Sequence, residues 1–263
     1  MWRDVLKIFE QHFPIDQQLL IADCTLGLGG HSRCLLETFP NSHIVATDLD
    51  TEAIALAAES LKPFESRLSL NHANYTEIFN VPRFSSTFAA NKKFDGIILD
   101  LGMSSLQLNS TQRGFSFKTD GELDMRFNQN DQTGLTAYKV VNFASEYEIA
   151  EIFKRFGEEK DALAAAEMIC KYRSEQKITS PAQLSKILNY AFFISKSINK
   201  YDSITKCFQA LRIFINKELE NVETCLKSFI HHLDDGGIML AISFHSLEDT
   251  LVLKYFKEQV RSM

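Results

Sequence analysis

The sequence lacks several features that define special classes of protein. No apolar run approaches the roughly 20 residues that a helix needs to span a bilayer, so we expect no transmembrane helix. The five cysteines are scattered and form no C-x-x-C pair, which disfavours a metal site and favours free thiols in a reducing compartment. The N-terminus has neither the apolar core of a signal peptide nor the Arg- and Ser-rich face of a transit peptide. Internal repeats and low-complexity tracts are absent.

Acidic residues outnumber basic ones, 34 to 28, and the positive charge is unevenly distributed. The 263 residues carry a net charge of −6, which argues against attraction of nucleic acid by the whole surface. Between residues 168 and 217, however, nine basic residues stand against two acidic ones, so this segment alone carries +7. Such a segment is compatible with phosphate contacts, and equally with the solvated faces of lysine-rich helices. The length accommodates one large domain, or one domain with an insertion.

The first hundred residues alternate between strand and helix patterns. Strands are predicted at 19–23, 43–48, 67–72 and 94–101, and helices at 32–39, 51–61 and 75–88. Asp50 is predicted to cap the second of these helices. Alternation of this kind indicates a parallel sheet covered by helices.

The pattern changes after residue 101. Residues 106–136 are predicted to form an ordered polar loop, followed by amphipathic helices at 145–156, 161–173 and 181–195. Ser145 and Glu148 fit a capping box, and Ser180-Pro181 is a typical helix start. A long helix at about 207–233, a strand at 238–244 and a helix at 246–260 complete the pattern. The α/β unit therefore resumes after a helical insertion.

A glycine turn follows the first strand, in the run Asp23-Cys24-Thr25-Leu26-Gly27-Leu28-Gly29-Gly30-His31. The second strand ends in Asp48, which can accept hydrogen bonds from both hydroxyls of a ribose. A nicotinamide-binding turn would have a further glycine at the third position of G-x-G-x-x-G, and this chain lacks it. S-adenosylmethionine (SAM), whose turn is looser, therefore fits better than a nicotinamide cofactor, although the turn alone leaves both open.

The end of the fourth strand favours methyl transfer. Asp100 and then Ser104 and Ser105 lie where ligands bind in open α/β sheets, at the carboxyl ends of the strands. The lone pair of an aryl amine is delocalised into its ring, so acceptors that hold the amine hydrogens direct that lone pair toward a methyl donor. The alternative is that Asp100 only caps the loop.

Seven ordered motifs resemble one enzyme family over nearly the whole chain. They are Asp23-Cys-Thr-Leu-Gly-Leu-Gly-Gly-His-Ser, Leu99-Asp-Leu-Gly-Met-Ser-Ser-Leu-Gln-Leu, Arg113-Gly-Phe-Ser-Phe, Gly121-Glu-Leu-Asp-Met-Arg, Phe156-Gly-Glu-Glu-Lys, Phe208-Gln-Ala-Leu-Arg-Ile and Ile242-Ser-Phe-His-Ser-Leu-Glu-Asp. The chain resembles the small-subunit rRNA cytosine-N4 methyltransferases, the bacterial MraW-type enzymes and their mitochondrial relatives. Residues 205–216 and 104–107 look closer to the mitochondrial branch, which acts on 12S rRNA.

The resemblance implies a class I SAM-dependent methyltransferase of Rossmann-like α/β fold, with an inserted helical domain that helps to hold RNA. The methyltransferase domain would comprise residues 1–105 and 208–263, and the insertion residues 106–207. The implied substrate is one cytidine in the decoding region of small-subunit rRNA, free or in the assembling subunit. The implied SAM contacts are Gly29, Gly30, His31, Asp48, Tyr75, Asp100 and Gln107.

Candidate substrate residues follow from the same reading. The catalytic candidates are Asp100, Ser104 and Ser105, with His245 either contacting the base or hydrogen-bonded locally. Asp124 and Arg126 form either a buried pair that ties the polar loop down or a part of the substrate site. The RNA-binding candidates are Arg113, Lys171, Arg173, Lys206 and Arg212, of which Arg113 has structural pairing as its alternative.

The chain also departs from the family pattern. The segment that precedes Arg3 in the family, and the strands that complete the sheet edge after residue 263, are missing from the sequence, so we expect a truncated C-terminal sheet edge. This leaves a second hypothesis, a catalytically impaired SAM- and RNA-binding factor of ribosome assembly. The branch resemblance suggests the mitochondrial matrix, and a bacterial cytoplasm is the alternative.

Overall fold

A parallel five-stranded sheet organises the first of two compact units. The computed structural model describes residues 1–81, 88, 92–131 and 134–262. Its strands are β1 (Leu20–Asp23), β2 (His43–Asp48), β3 (Leu68–His72), β4 (Phe94–Asp100) and β5 (Leu233–Ile242). They pair in the order β3-β2-β1-β4-β5, and each neighbouring pair is parallel. This order confirms the predicted Rossmann-like α/β fold.

Eleven helices occur in the described part of the chain. They are α1 (Trp2–His12), α2 (Gly30–Thr38), α3 (Thr51–Ser60), α4 (Ser105–Asn109), α5 (Ala137–Phe143), α6 (Glu146–Gly157), α7 (Ala162–Glu175), α8 (Pro181–Ile194), α9 (Lys200–Asn216), α10 (Glu218–His232) and α11 (Ser246–Ser262). Short 3₁₀ helices span Lys62–Arg67 and Tyr75–Glu77. No helix among the described residues is both long enough and apolar enough to cross a membrane.

The chain divides into unit 1, residues Met1–Ser104 and Leu219–Met263, and unit 2, residues Ser105–Glu218. Unit 1 therefore holds the sheet, with α1 to α3, α11 and nearly all of α10. Unit 2 is helical, from α4 to α9. The predicted boundary at 207/208 falls within α9, whereas the observed division lies later, between Glu218 and Leu219.

The sheet of unit 1 is buried on both faces, because successive side chains of a strand point to opposite sides. On one face Ile21 packs in a cluster with Phe9 of α1. On the other face Leu20 belongs to a cluster with Phe229 of α10. This explains why the central strands β1 and β4 carry continuous apolar runs rather than an alternating pattern.

Local sequence signals set several helix starts. Asp50 caps α3 by accepting a hydrogen bond from the Glu52 N–H at 3.1 Å, as predicted. Ser145 and Glu148 form the predicted capping box of α6, in which each side chain accepts a hydrogen bond from the other residue's backbone N–H. Ser180 caps α8 just before Pro181.

One helix prediction is wrong, and a second differs from the structure over its first residues. The predicted helix at 207–233 is two helices, because Lys217 adopts a left-handed conformation (φ 51°) that ends α9 before α10 begins. The predicted helix at 75–88 begins as the short 3₁₀ turn Tyr75–Glu77. Most of its remainder, residues 82–87, lies outside the described residues.

Candidate functional site

The carboxyl edge of the sheet in unit 1 brings together the acidic residues that end its strands. Asp23 ends β1, Asp48 ends β2 and Asp100 ends β4. Since all of these strands are parallel, their carboxyl ends meet at one edge. Tyr75 follows β3 at the same edge, within the turn Tyr75–Glu77. This is where open α/β sheets bind ligands.

The glycine turn after β1 starts α2 at this edge. Gly29 caps α2 with φ 79°, and a Cβ placed on it would lie 2.7 Å from Leu61 Cδ1. Glycine is therefore required there both for its backbone conformation and for its lack of a side chain. A Cβ on Gly30 would instead meet nothing within 4 Å. The N-terminus of α2, with its partial positive charge, thus has open space beside it.

Asp48 is held rigidly by backbone amides. Its Oδ2 accepts a hydrogen bond from the Gly27 N–H at 2.8 Å, and its Oδ1 accepts one from the Asp50 N–H at 2.9 Å. Burial raises the pKa of the Asp48 carboxyl. Each carboxylate oxygen has a further lone pair, so both can still accept a hydroxyl of a ribose.

Asp23 serves the turn itself. Its Oδ2 accepts a hydrogen bond from Ser32 Oγ at 2.6 Å, which ties the end of β1 to α2. The side chain is fully buried, and this burial raises its pKa. Asp23 therefore stabilises the glycine turn, and the predicted ribose contact of Asp48 stays a prediction.

Asp100 and His31 form a pair at the carboxyl edge of the sheet. His31 Nε2 lies 3.1 Å from Asp100 Oδ2, and this contact raises the pKa of the His31 imidazole. The Asp100 N–H donates to Thr25 Oγ1 at 2.8 Å, which fixes the end of β4 to the turn. Sequence reasoning missed Thr25, whose signal was a hydroxyl in the turn two residues after the strand end.

Two atoms of this pair have unused hydrogen-bonding capacity. Asp100 Oδ1 and His31 Nδ1 are buried, and neither makes a hydrogen bond within the described part of the chain. Buried polar atoms are nearly always paired in native proteins. The pair, the open N-terminus of α2 and the Asp48 carboxylate fit a nucleoside cofactor with a polar amino-acid tail, which is the chemistry of SAM. The described residues hold no group of three or more His, Cys, Asp or Glu side chains that could bind a metal.

The loop after β4 runs beside the glycine turn. A Cβ on Gly27 would lie 3.9 Å from Ser104 Cβ, so the predicted catalytic Ser104 borders the turn. Ser105 and the buried Gln107 belong to α4 of unit 2. The candidate residues predicted from the sequence therefore belong to two separate units.

His245 has local hydrogen-bond partners, and its predicted contact with the base stays a prediction. Its Nδ1 accepts a hydrogen bond from the Glu248 N–H at 3.4 Å, while Glu248 Oε2 accepts one from the Phe244 N–H at 3.0 Å. His245 Nε2 also lies 3.1 Å from Glu248 Oε1. His245 thus caps the start of α11, and Glu248 accepts a hydrogen bond from the residue before this cap. His245 is therefore built into the helix start, the local alternative that the sequence left open.

Four of the five predicted RNA-binding side chains are engaged within unit 2. Arg113 is 3% exposed and donates to the carbonyls of Arg126 and Phe127. Arg212 is 9% exposed and donates from Nε and Nη2 to both carboxylate oxygens of Glu218, at 2.8 and 3.0 Å. Charged side chains are seldom buried without a partner, so the internal pairing of these two arginines favours a structural role, and their contact with RNA stays a prediction.

Arg173 and Lys206 also have internal partners. Arg173 donates to the carbonyls of Val141 and Ala144, at 2.8 and 2.5 Å, which satisfies the C-terminal end of α5. Lys206 pairs with Asp202 one turn earlier on α9, at 2.7 Å. Lys171 is exposed on α7 and is the predicted RNA contact that faces solvent most openly.

The polar loop is held by the Asp124–Arg126 pair, which is one of the two roles left open for these residues by the sequence. Arg126 donates from Nε and Nη2 to Asp124, at 2.8 and 2.6 Å. The Asp124–Arg126 contact thus stabilises the loop between α4 and α5.

Comparison with known proteins agrees with this geometry. The family described as the MraW methylase family matches residues 1–263. Ribosomal RNA small subunit methyltransferase H of Pseudoalteromonas atlantica is 40% identical over 242 residues, which cover 92% of this chain and 75% of that protein. The protein of the same name from Orientia tsutsugamushi is 37% identical over 247 residues, which cover 93% and 76%.

The match and the sheet together establish the predicted class of fold and its cofactor. The parallel sheet, the glycine turn and Asp48 form a class I methyltransferase unit, and its cofactor is SAM. With the family match over the full length, the chain belongs to the MraW methylase family.

Proposed function

We propose that this protein transfers a methyl group from SAM to the N4 exocyclic amine of one cytidine in the decoding region of small-subunit rRNA. The names of its relatives support small-subunit rRNA as the substrate. The observation that carries the choice of an amine is Asp100, whose Oδ1 is buried at the carboxyl edge of the sheet without a hydrogen bond in the described chain.

Asp100 suits an amine because its two oxygens have different tasks. Oδ2 faces His31 Nε2, so the carboxylate is fixed in direction, and Oδ1 remains to accept a hydrogen bond from the amine. The cytosine amine is a poor nucleophile while its lone pair is conjugated with the ring. An acceptor that holds one amine hydrogen out of the ring plane weakens this conjugation and aims the lone pair.

The same carboxylate serves the proton that the reaction releases. When bound, SAM supplies an electrophilic methyl group on a sulfonium, so the protein needs no covalent intermediate. The methylated amine then carries an excess proton, which Asp100 Oδ1 is placed to accept. The target base must leave its stack to reach this edge, as in other enzymes that modify bases.

Binding of SAM rests on Asp48 and is tested first with Asp48→Asn. This change preserves the size of the side chain but replaces one acceptor oxygen with a donor amide. We expect weaker SAM binding by titration calorimetry and a smaller SAM-induced rise in Tm. Unchanged binding by a folded Asp48→Asn protein would remove Asp48 from the cofactor site.

The amine-directing role is tested with Asp100→Asn, under saturating SAM and native small-subunit particles that lack the modification. We expect the rate of methyl transfer to fall by about 10²- to 10⁴-fold, the usual contribution of a positioned acid–base group. Asp95→Asn is the matched control. Asp95 lies at the opposite end of β4, where its Oδ2 accepts from the Leu20 N–H at 2.7 Å, so its loss affects stability rather than the site.

The second hypothesis, an assembly factor that binds SAM and RNA without turnover, makes a separate prediction. It requires binding of both ligands with no methyl transfer to any particle under single-turnover conditions. The assembling small subunit as partner is a proposal that rests on the family resemblance, and the mitochondrial matrix as location is one that rests on the branch resemblance.

A further inference from the structure

The corner between α8 and α9 exposes aromatic and apolar side chains together with lysines. We call this surface the α8–α9 corner, and it consists of Tyr190, Phe193, Lys196, Ile198, Lys200 and Tyr201. Phe193 is 63% exposed and Tyr201 is 61% exposed. Large side chains of this kind are usually buried, so a contiguous exposed group marks an interaction surface.

The backbone that presents the α8–α9 corner is ordered. The Ser197 N–H donates to the Phe192 carbonyl at 3.0 Å, and the Lys196 N–H to the Phe193 carbonyl at 3.4 Å, which is the hydrogen-bond pattern that closes many helices. Ser197 Oγ lies 3.1 Å from Ser203 Oγ on α9. The exposed rings are therefore held in place rather than carried on a loose loop.

Lys196 occupies a position where glycine is the usual residue. Its φ is 58°, in the left-handed region that disfavours side chains. Lysine at this position adds a positive charge to the corner. Lys200 adds a second charge, with its Nζ 4.6 Å from the centroid of the Phe193 ring.

The charge of the surrounding chain is uniformly positive. Residues 186–201 contain three lysines and no acidic residue, in a protein of net charge −6. Two acidic residues near the corner are engaged, since Asp161 accepts from Ser195 Oγ and Asp202 pairs with Lys206. The corner thus combines positive charge with exposed aromatic side chains, of which Tyr201 also contacts Phe117 at 5.3 Å between ring centroids.

We propose that the α8–α9 corner binds unpaired nucleotides of the rRNA substrate by stacking bases on Phe193, Tyr190 and Tyr201 while the lysines contact phosphates. This inference rests on the proposed rRNA substrate and names the part of the RNA that unit 2 engages. Aromatic rings stack on bases only where these are unstacked, in loops, bulges and single strands. The corner therefore selects a single-stranded segment rather than a duplex.

Charge argues against the other occupants. A symmetric dimer through the corner would place the lysines of one copy against those of the other, which is repulsive. An anionic lipid surface would also be attracted to the lysines, but it has no bases to stack on the rings. Both remain as outcomes that the test distinguishes.

The test measures the Kd of the full-length protein for a labelled 12-nucleotide single-stranded RNA of mixed sequence and for the matching duplex. We expect Phe193→Ala to weaken single-strand binding by roughly 5- to 100-fold, the range for loss of one base–aromatic stack, with little effect on duplex binding. Phe193→Trp should retain or improve binding, and its fluorescence should be quenched by the RNA. Lys196→Gln should lower the salt dependence of binding, because one phosphate contact is lost.

The matched control is Phe143→Ala in the same unit. Phe143 is 65% exposed and has Lys177 Nζ 4.5 Å from its ring centroid, but Glu146 and Glu148 follow it in the chain. We expect wild-type RNA affinity for this variant. Circular dichroism and the SAM-induced shift in Tm confirm that each variant is folded.

The inference is overturned if Phe193→Ala and Phe143→Ala bind single-stranded RNA equally well. It is also overturned if the corner variants change only the molar mass by light scattering, or only binding to vesicles of phosphatidylcholine and phosphatidylserine. These failures leave methyl transfer by the wild-type protein intact. Failure of the proposed function would instead appear as absent methyl transfer by the wild-type protein, whatever the corner variants bind.

Discussion

Removal of one partner from the Arg212–Glu218 pair should strongly destabilise unit 2, and the pair should make no direct contribution to RNA binding. The perturbation is a double-mutant cycle of Arg212→Met, Glu218→Met and the two together. Methionine has a similar length and no charge, so it fills most of the space that either side chain vacates. The two side chains are only 11% and 7% exposed, so a charge left without its partner there is poorly solvated.

The structure sets the expected magnitude. Arg212 contacts both oxygens of Glu218, at 2.8 and 3.0 Å, which makes the pair bidentate and buried. Removal of one partner from such a pair costs about 3–5 kcal/mol, because the remaining charge stays buried. Replacement of both by apolar side chains is often close to neutral, so the double variant should be more stable than either single variant.

The assay is urea unfolding followed by circular dichroism, with RNA affinity measured under conditions where each variant is folded. We expect a coupling free energy of several kcal/mol between the two positions, as about 3–5 kcal/mol per single change implies. A loss of less than 1 kcal/mol in both single variants would refute the buried-pair reasoning. A specific loss of RNA affinity in the stable double variant would restore Arg212 as an RNA contact.

Three further predictions follow from local geometry. A Cβ on Gly96 would lie 2.6 Å from the ring of the buried Phe9, so Gly96→Ala should lower the free energy of unfolding by about 1–3 kcal/mol. In urea titrations, adding Phe9→Leu to the Gly96→Ala protein should recover part of that loss. Lys217→Gly should raise the free energy of unfolding by roughly 0.5–1 kcal/mol, since glycine relieves the left-handed strain but costs more entropy; a lower urea midpoint would contradict this. Asp100 raises the pKa of His31, so the stabilisation from their contact should be present below the ordinary histidine pKa and lost as the pH rises through the raised pKa. The Tm difference between the wild type and His31→Gln should therefore be larger at pH 5.5 than at pH 8.5. A Tm difference that does not change with pH would contradict the pairing.

Patterns with a local cause were predictable from the sequence. The apolar strand at β2, the Asp50 cap and the Ser145–Glu148 capping box all depend on residues close in the chain, and all were confirmed. The position of Asp48 at the end of β2 was predictable for the same reason. Its place at the ligand-binding edge then followed, because the carboxyl ends of parallel strands lie at one edge of the sheet.

Burial and pairing of charges were not predictable, since they depend on distant partners. Arg212 lies in the basic segment 168–217 and Arg113 in the polar loop, and both were predicted to bind RNA, but contacts within the folded protein bury both. The break at Lys217 has no sequence signal, because lysine rarely takes the left-handed conformation that ends α9. The SAM contacts and the catalytic set remain predictions that the experiments on Asp48 and Asp100 address.

The most direct test of the central claim is to identify the methylated nucleoside after reaction of this protein with SAM and unmodified native small-subunit particles. Mass spectrometry of the digested rRNA distinguishes N4-methylcytidine from methylation at ring carbon, ribose or other bases. The account predicts N4-methylcytidine at one decoding-region position, formed by the wild type and Asp95→Asn but strongly reduced in Asp100→Asn. Methylation at a ring carbon or a ribose, or an undiminished rate in Asp100→Asn, would contradict it.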